Sequence, residues 1–475
     1  MKGSLMVAID AQTVEEQMCF SQGGAAGNGV ASPLPSMVRG ACPSLSAPMQ
    51  TGDGLLVRLR PSTPGLTIAQ LRLLAEAAER HGNGLIEITA RGNFQLRGMT
   101  PQSMPGLAAD IDRVGIVPES GVTIEVPPLS GVDPSEIADA RGLAERLRNA
   151  VDSLHPKPVL AAKLAIIVDG GGRLVLDEIS ADIRLKAVNA ADGSQLWRLA
   201  IAGTQATATP LADLTGEQAI PGVITLVKAL TAIGPRARGR DLDIASLRAR
   251  FPTILDFSHA ESTAPDSPVG LIPLNKQHSA LGLRPAFGQI YAQDLIRFLD
   301  VAKLAGVHEI RTGPEHSLLL LGLSRDRIED ILAAAADSGF QTRAGDPANY
   351  AIPCAGAGAC ASAYYATREA ATDLIKLSAE LLDGSLKVHL SGCAKGCAHP
   401  SPTMLTIVGA ATGYAIVVNG SASSEPVAYI HKEDLKSALA ALGELVRNNK
   451  AAGESAQQCL KRLGRDAIAT ALRQG

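Results

Sequence analysis

The sequence predicts an α+β protein made of two related halves, each with a small α+β half-domain followed by a larger α/β segment. Three observations predict this class. The chain repeats itself at a constant offset of 224 residues, each copy has the pattern strand, helix, strand, helix, and four of seven cysteines fall in residues 354–397. At 475 residues the chain is also too long for a single ordinary core.

The repeat is visible in short identical stretches and in glycines. Leu59-Arg60-Pro61 matches Leu283-Arg284-Pro285, and Gly82, Gly98 and Gly115 match Gly306, Gly322 and Gly339. In the first copy, apolar periodicity predicts a strand over 55–60, a helix over 68–80, a strand pair over 85–96 and a helix over 104–114. Such a unit buries one sheet face under its helices and leaves the other for a partner.

The larger segments are predicted from caps and apolar runs. Asp133-Pro134-Ser135-Glu136 predicts a helix start, and strands are expected over 164–168 and 174–176, joined by a turn at Asp169–Gly172. The second segment is expected to hold a helix over 367–382, strands over 387–390 and 405–408, and two C-terminal helices. The predicted domains are a loosely ordered leader (1–49), the half-domains (50–120 and 266–345) and the α/β segments (121–265 and 346–475), with a linker over 259–268.

Composition excludes several classes of function. The net charge of −3 gives no general attraction to nucleic acid, so an anionic ligand must be bound by local basic residues. No apolar run approaches the ~20 residues that span a membrane, and residues 1–49 lack the pattern of a signal peptide. Seven cysteines, four of them crowded together, indicate a metal or redox site in a reducing cytoplasm rather than a disulfide framework.

One strand of the first copy carries a cationic face. Arg91, Asn93, Gln95 and Arg97 are two apart and share a face, and Arg58 and Arg60 add two more guanidiniums. Guanidinium binds carboxylate in a forked geometry, which favours a ligand with several carboxylates. The alternative is an ordinary solvated strand face.

The second copy has lost this face. The residues at its equivalent positions are Glu315, Ser317, Leu319 and Leu321, and only Arg284 is kept of the added arginines. We therefore expect the ligand to bind on the first copy.

The crowded cysteines are spaced as Cys354-x5-Cys360 and Cys393-x3-Cys397, among Gly, Ala and Ser. A wide gap of small residues suits a bulky [4Fe–4S] cluster better than a single zinc ion, and four buried cysteines without function are the alternative. Cys19, Cys42 and Cys459 are isolated and are expected to be ordinary free thiols. His389 and His399 flank the second pair, as iron ligands or as structural hydrogen-bonding residues.

These features resemble the siroheme-type sulfite and nitrite reductase superfamily, from Cys42 to the C-terminal helices. The resemblance is carried by the paired halves, Thr89-Ala90-Arg91-Gly92-Asn93-Phe94-Gln95, Lys163 and the four cysteines. Three stretches are most similar to the precorrin-3B synthase family, namely Cys42–Leu45, Gly52–Arg58 and Ser391–Pro400.

The resemblance implies a pseudo-twofold fold with ferredoxin-like half-domains and a monooxygenase of aerobic cobalamin biosynthesis. Its substrate would be precorrin-3A, a tetrapyrrole with many carboxylates, hydroxylated and closed to a lactone with dioxygen and NADH. Lys163 joins the arginine face as a substrate-binding candidate. A mononuclear non-heme iron is a further implied cofactor. NADH is expected to act through a separate reductase protein, because no Gly-x-Gly-x-x-Gly opens a βαβ unit.

Three departures separate the chain from the reductase pattern. Ala165 stands where reductases have a second lysine two residues after Lys163, Ala394-Lys395 replaces Pro-Asn, and Met404 replaces an acidic residue. They argue against a siroheme sharing the Cys397 thiolate with the cluster. A siroheme-dependent assimilatory sulfite or nitrite reductase is the first alternative, and an inert iron–sulfur scaffold or tetrapyrrole carrier is the second.

Overall fold

The computed structural model describes residues 43–190, 192–251, 266–275 and 278–474, without the side chain of Gln474. Cys19, Cys42, nearly all of the predicted leader and most of the predicted linker lie outside the described residues. Among the described helices, none combines the length and apolar character needed to cross a membrane.

The first half-domain has the predicted elements. The helix α1 begins where Thr67 accepts a hydrogen bond from the Gln70 amide and Gln70 bonds back to the Thr67 amide. Its buried face includes Leu71, Leu74 and Ala78. The elements are β1 (Met49–Thr51), β2 (Gly54–Leu59), β3 (Leu66–Thr67), α1 (Ile68–His81), β4 (Leu85–Ile88), β5 (Phe94–Met99) and α2 (Met104–Arg113).

The first α/β segment follows as a five-stranded sheet in the order β10-β9-β8-β7-β6, with helices against it. Strands β6, β7 and β8 run parallel, and β9 and β10 are antiparallel. The elements are β6 (Thr123–Glu125), α3 (Ala140–Asp152), β7 (Ala165–Asp169), β8 (Ala181–Asn189), β9 (Gln195–Gly203), β10 (Thr209–Leu214), α4 (Gly216–Ile233) and α5 (Ile244–Arg248).

Two predictions in this segment are wrong. Helix α3 begins at Ala140, capped by Asp139, because Asp133 instead binds the backbone amides of Ser135 and Arg173 and forms a turn. Residues 174–176 form no strand. The buried Asp169 accepts hydrogen bonds from the amides of Gly171 and Leu176, so this stretch is a crossover loop that leads to the parallel strand β8.

The second half-domain repeats the first and exchanges strands with it. The first sheet has the order β1-β2-β5-β4-β13, and the second has the order β11-β12-β15-β14-β3, so each contains one strand of the other copy. Both copies share one hydrophobic core. The elements are β11 (Gly270–Pro273), β12 (Ser279–Pro285), β13 (Gln289–Tyr291), α6 (Ala292–Leu304), β14 (Glu309–Gly313), β15 (Ser317–Leu321), α7 (Ile328–Asp337) and β16 (Phe340–Gln341).

The last segment has the connectivity of the first α/β segment, with order β17-β18-β19-β20-β21 and three parallel strands followed by two antiparallel ones. The repeat therefore extends through the whole of each half. Helix α8 ends at Leu377, earlier than predicted, and the two C-terminal helices are confirmed. The elements are β17 (Ala351–Pro353), α8 (Thr367–Leu377), β18 (Val388–Ser391), β19 (Thr403–Ala410), β20 (Gly413–Gly420), β21 (Ala428–His431), α9 (Leu435–Asn449) and α10 (Ala456–Gln474).

Candidate active site

The four cysteines lie on two adjacent loops. Cys354 and Cys360 follow β17, and Cys393 and Cys397 follow β18. Because β17 and β18 are parallel neighbours, both loops leave the same edge of the sheet. The loops are bonded to each other, since the amide of Gly392 donates to Cys354 Sγ at 3.1 Å and that of Tyr364 donates to the Gly392 carbonyl at 2.8 Å.

Small residues are required where these loops meet. A Cβ on Gly392 would lie 2.6 Å from the Cβ of Ala363 and 3.3 Å from Cys354 Sγ. Lys395 Nζ donates to Ser362 Oγ at 2.7 Å, so a residue between the second pair of cysteines is tied to the first loop. The small-residue pattern noted in the sequence therefore serves close packing of the two loops.

The donor set fits an iron–sulfur cluster. None of the four cysteines forms a disulfide, and burial raises the pKa of Cys393, with Cys360 and Cys354 raising it further. Among the described residues, no three His, Cys, Asp or Glu side chains are grouped closely enough for one metal ion. A four-iron cluster holds its thiolates farther apart than a single ion does, so four thiols on two adjoining loops suit a cluster.

The described residues reveal no ligand set for a mononuclear iron. His389 is buried on β18, neither ring nitrogen has a hydrogen-bond partner in the described structure, and burial lowers its pKa to about 3. The ring of His399 lies 5.9 Å away and bonds to the Ser401 carbonyl. These two histidines adjoin the cysteine loop without forming a metal group of their own.

The polar face of the first copy lies on β2, β4 and β5. Phe94 and Leu96 enter the shared core, and Gln95 lies on the opposite face. Arg58 Nη2 donates to Gln95 Oε1 at 2.8 Å, and Gln95 Nε2 donates to Glu87 Oε2 at 2.6 Å. The predicted alternation is therefore present for Gln95 and Arg97 on β5, whereas Arg91 and Asn93 lie in the turn before this strand.

Arg60 and Arg91 extend from this face to the first α/β segment. Arg60 bonds to Glu119 at 2.8 Å and to Glu125 at 3.3 Å, and Arg91 Nη1 donates to Glu125 at 2.8 Å. Arg91 also donates to the Ser180 carbonyl. Lys163 is exposed in the turn just before β7. Asn93 is buried and bonds to Thr89.

The sequence analysis does not predict the carboxylates that pair with these arginines. Glu87 and Glu125 are buried residues on strands, and Glu119 and Asp53 are in loops. A buried acid on a short apolar strand, such as Glu87 in Leu85–Ile88, is the one sequence signal that indicates a buried cationic partner.

Arg97 differs from the other arginines because its side chain is only 3% exposed. Its Nε and Nη2 each donate to Asp53 at 2.9 Å, Nη1 donates to Glu87 at 3.2 Å, and Nη2 also donates to the Ala359 carbonyl. Four hydrogen bonds occupy most of its five donors.

The corresponding face of the second copy is closed, and it combines buried leucines with the buried Arg311, which pairs with Glu309. Leu319 and Leu321 are buried against Leu129 and Leu174 of the first α/β segment. Glu315, the counterpart of Arg91, pairs with Arg284 at 2.9 Å and with Lys387 at 2.7 Å. The asymmetry expected from the sequence is thus a difference between a polar contact and a sealed one.

The sequence of the chain is similar to those of known proteins. The family model described as "Nitrite/Sulfite reductase ferredoxin-like half domain" matches residues 47–114 and 272–338, which are the two half-domains. A protein from a Sinorhizobium species named precorrin-3B synthase is 47% identical over 449 residues, covering 94% of this chain and 97% of its own. The chain belongs to the precorrin-3B synthase family.

The precorrin-3B synthase family shares its fold with the reductases. A ferredoxin–nitrite reductase from Synechococcus elongatus is 24% identical, covering 74% of this chain and 78% of its own. The structure of the Mycobacterium tuberculosis NirA protein superposes with a TM-score of 0.69 at 19% identity, covering 87% of this chain and 84% of that one. The sulfite/nitrite reductase-like fold is confirmed, and the chain is an oxidoreductase.

Proposed function

We propose that the chain converts precorrin-3A to precorrin-3B. One atom of dioxygen enters the macrocycle as a hydroxyl group while the ring-A acetate closes to a lactone. The other oxygen atom leaves as water, and NADH supplies the two electrons. The observation that carries this proposal is the arginine-rich face beside the cysteine loops, in a chain 47% identical to a precorrin-3B synthase.

The substrate-binding residues in this proposal are Arg58, Arg60, Arg91, Asn93, Gln95 and Lys163. Arg97, a further candidate from the sequence, is left out of this set, because its side chain is buried and bonded to Asp53, Glu87 and the Ala359 carbonyl. Arg91 is 37% exposed and shares Glu125 with Arg60, so a substrate carboxylate can replace Glu125 as partner without exposing a bare buried charge. Lys163 is exposed in the turn before β7 of the adjoining α/β segment. Carboxylates keep these guanidiniums oriented before the substrate arrives, which lowers the entropy cost of binding.

Cys354, Cys360, Cys393 and Cys397 would hold one [4Fe–4S] cluster, which supplies single electrons when bound. The chain contributes the amide of Gly392, which already donates to Cys354 Sγ, and the small residues that admit a bulky group.

NADH would act through a separate reductase protein. Thiolate ligands of this kind persist in a reducing compartment, so we assign the reaction to the cytoplasm.

A siroheme-dependent reductase is the alternative, favoured by the fold shared with nitrite reductases. The position of the second lysine argues against it. Ala165 is 6% exposed, and its amide donates to Asp182 at 3.0 Å, which is itself held by Arg238 at 2.8 Å. No ammonium stands there to attract a small dianion.

The test compares the two reactions on one preparation of the full chain. We expect iron and sulfide without stoichiometric siroheme in the optical spectrum, conversion of precorrin-3A under air with an electron source, and no oxidation of reduced viologen by sulfite or nitrite. Stoichiometric siroheme with rapid sulfite- or nitrite-dependent viologen oxidation, and unchanged precorrin-3A, would overturn the proposal.

A further inference from the structure

Arg97 contacts the first cysteine loop, which carries Cys354 and Cys360, and does not face solvent. Its Nη2 donates to the carbonyl of Ala359, the residue before Cys360. Next to it, a Cβ on Gly52 would lie 3.2 Å from the Cys360 amide nitrogen, so the Gly52-Asp53 turn also packs on this loop. The first half-domain therefore holds the Cys354–Cys360 loop by backbone packing and by one buried guanidinium.

The position of Arg97 is fixed by its carboxylate partners. Asp53 receives two of its hydrogen bonds and is itself bonded by Thr51 at 2.8 Å and Asn83 at 3.1 Å. Burial raises the pKa of Asp53, but hydrogen bonds from Arg97 and Thr51 outweigh it and leave the pKa below its usual value. The pair stays charged at neutral pH.

A second arginine joins the network from the cysteine side. Arg368, on the helix α8 that follows the first cysteine loop, contacts Glu87 at 3.3 Å, and Glu87 also contacts Arg97 at 3.2 Å. Two guanidiniums and two carboxylates thus lie between the first sheet and the loop. The four charges cancel. Loss of the Arg97 charge would therefore leave a net negative charge beside the cysteines, and loss of the Asp53 charge would leave a net positive one.

The second half contains a comparable buried arginine, which contacts a loop that has no cysteines. Arg311 on β14 is 3% exposed, pairs with Glu309 at 2.8 Å, and donates to the carbonyls of Pro128 and Ser130 at 3.0 Å each. Those residues form the loop after β6, which corresponds to the loop after β17. Both arginines are anchors between a half-domain and a loop, and only Arg97 anchors a loop with cysteines.

We propose that Arg97 is a positioning residue for the iron–sulfur cluster, ordering the Cys354–Cys360 loop and contributing a positive charge that raises the reduction potential of the cluster. This rests on the proposed function, because it requires a cluster on the four cysteines. It assigns Arg97 to electron transfer, apart from the arginines that bind the substrate.

The test is a redox titration followed by EPR, together with the rate of iron loss to a chelator, on the full chain and four variants. R97Q removes the charge and is expected to lower the midpoint potential and speed iron loss. R97K keeps the charge and is expected to retain the wild-type potential while losing iron faster, because the forked contacts to Ala359 and Asp53 are lost. D53N removes a negative charge and is expected to raise the potential.

R311Q is the matched control. It is expected to lower thermal stability as R97Q does, with wild-type potential and wild-type iron retention. Equal potentials in wild type, R97Q and D53N, or equal iron loss in R97K and R311Q, would overturn the inference while leaving the cluster in place. Wild-type protein without iron and sulfide would overturn the proposed cluster itself. If R97Q does not fold, R97K and D53N still decide the outcome.

Discussion

The two half-domains present the same sheet face to the α/β segments, and the contacts differ in character. The first copy places Arg58, Gln95 and Arg97 there, linked through Glu87 and reaching the cysteine loop. The second places Leu319 and Leu321 at the matching positions, sealed by Leu129. Since backbone and connectivity repeat, the difference lies in side chains alone.

The comparison separates function from architecture. An apolar contact needs no specific geometry beyond packing and stabilises the pair of halves. A buried charged network costs desolvation energy and is weak evidence for stability, and the network of the first copy reaches the cysteine loop, which indicates a functional role. We infer that the second contact holds the halves together while the first binds substrate and serves the cluster.

The largest expected effect is at the cysteines. C393S should abolish most absorbance near ~400 nm, the reduced EPR signal, and the iron and sulfide content, because a thiolate ligand is lost. C459S is the control, since Cys459 is buried in α10 away from the cysteine loops. Unchanged iron and sulfide in C393S would contradict the ligand assignment.

The sealed contact is sensitive to packing. L321A should destabilise the fold by about 2–5 kcal/mol, as expected for a cavity in a closed apolar cluster, and leave precorrin-3A affinity unchanged. The measurement is chemical denaturation alongside a binding titration. A loss of affinity without a loss of stability would reverse the roles of the two contacts.

The polar contact is sensitive to charge. R91A should weaken precorrin-3A binding by about 1.5–3 kcal/mol, the range for a hydrogen bond to a charged group, with iron content unchanged. R72A is the control, because Arg72 lies on α1 and pairs with Asp300. Glu315 is unsuitable as a silent counterpart, since its loss would leave the buried Arg284 without its carboxylate. Equal affinity in R91A and wild type would contradict the substrate assignment.

The smallest expected effect concerns two turns at which the half-domains meet, the turn between β4 and β5 and the turn between β14 and β15. Gly92 of the first turn corresponds to His316 of the second, and His316 Nδ1 bonds to the Ile88 carbonyl at 2.6 Å. Burial, with Arg284 adding to it, lowers the pKa of His316 from 6.5 to about 4. Between pH 6.5 and pH 4, His316 therefore binds a proton in the unfolded chain but not in the native state. The free energy of unfolding falls as the pH falls towards 4.

Between pH 7 and 5.5 the wild type should lose about 1 kcal/mol more stability than H316N, which keeps a residue tolerant of the left-handed backbone. Denaturation midpoints at the two pH values measure this difference. A pH dependence shared by both proteins would assign the effect to another group.

Much of this architecture could be predicted from the sequence, because the repeat and the apolar periodicity are local signals. The helices of both half-domains and the positions of the cysteines depend on such signals. The sequence does not locate the helix start at Ala140, because an Asp such as Asp133 can accept backbone hydrogen bonds in a turn as readily as at a helix N-cap. The exchange of β3 and β13, and the pairing of each carboxylate with a particular arginine, depend on contacts between distant residues. A single sequence indicates at most a buried acid such as Glu87, and not which residue it pairs with.

The central claim is that the face of the first copy and the cysteine loops together oxidise a polycarboxylated tetrapyrrole. The direct test is incubation of the purified chain with precorrin-3A, an electron source and ¹⁸O-labelled dioxygen, followed by mass spectrometry of the product. The account predicts a hydroxylated lactone carrying one labelled oxygen atom, strongly reduced in R91A and absent in C393S. Unlabelled product, or labelled product formed equally by C393S, would contradict it.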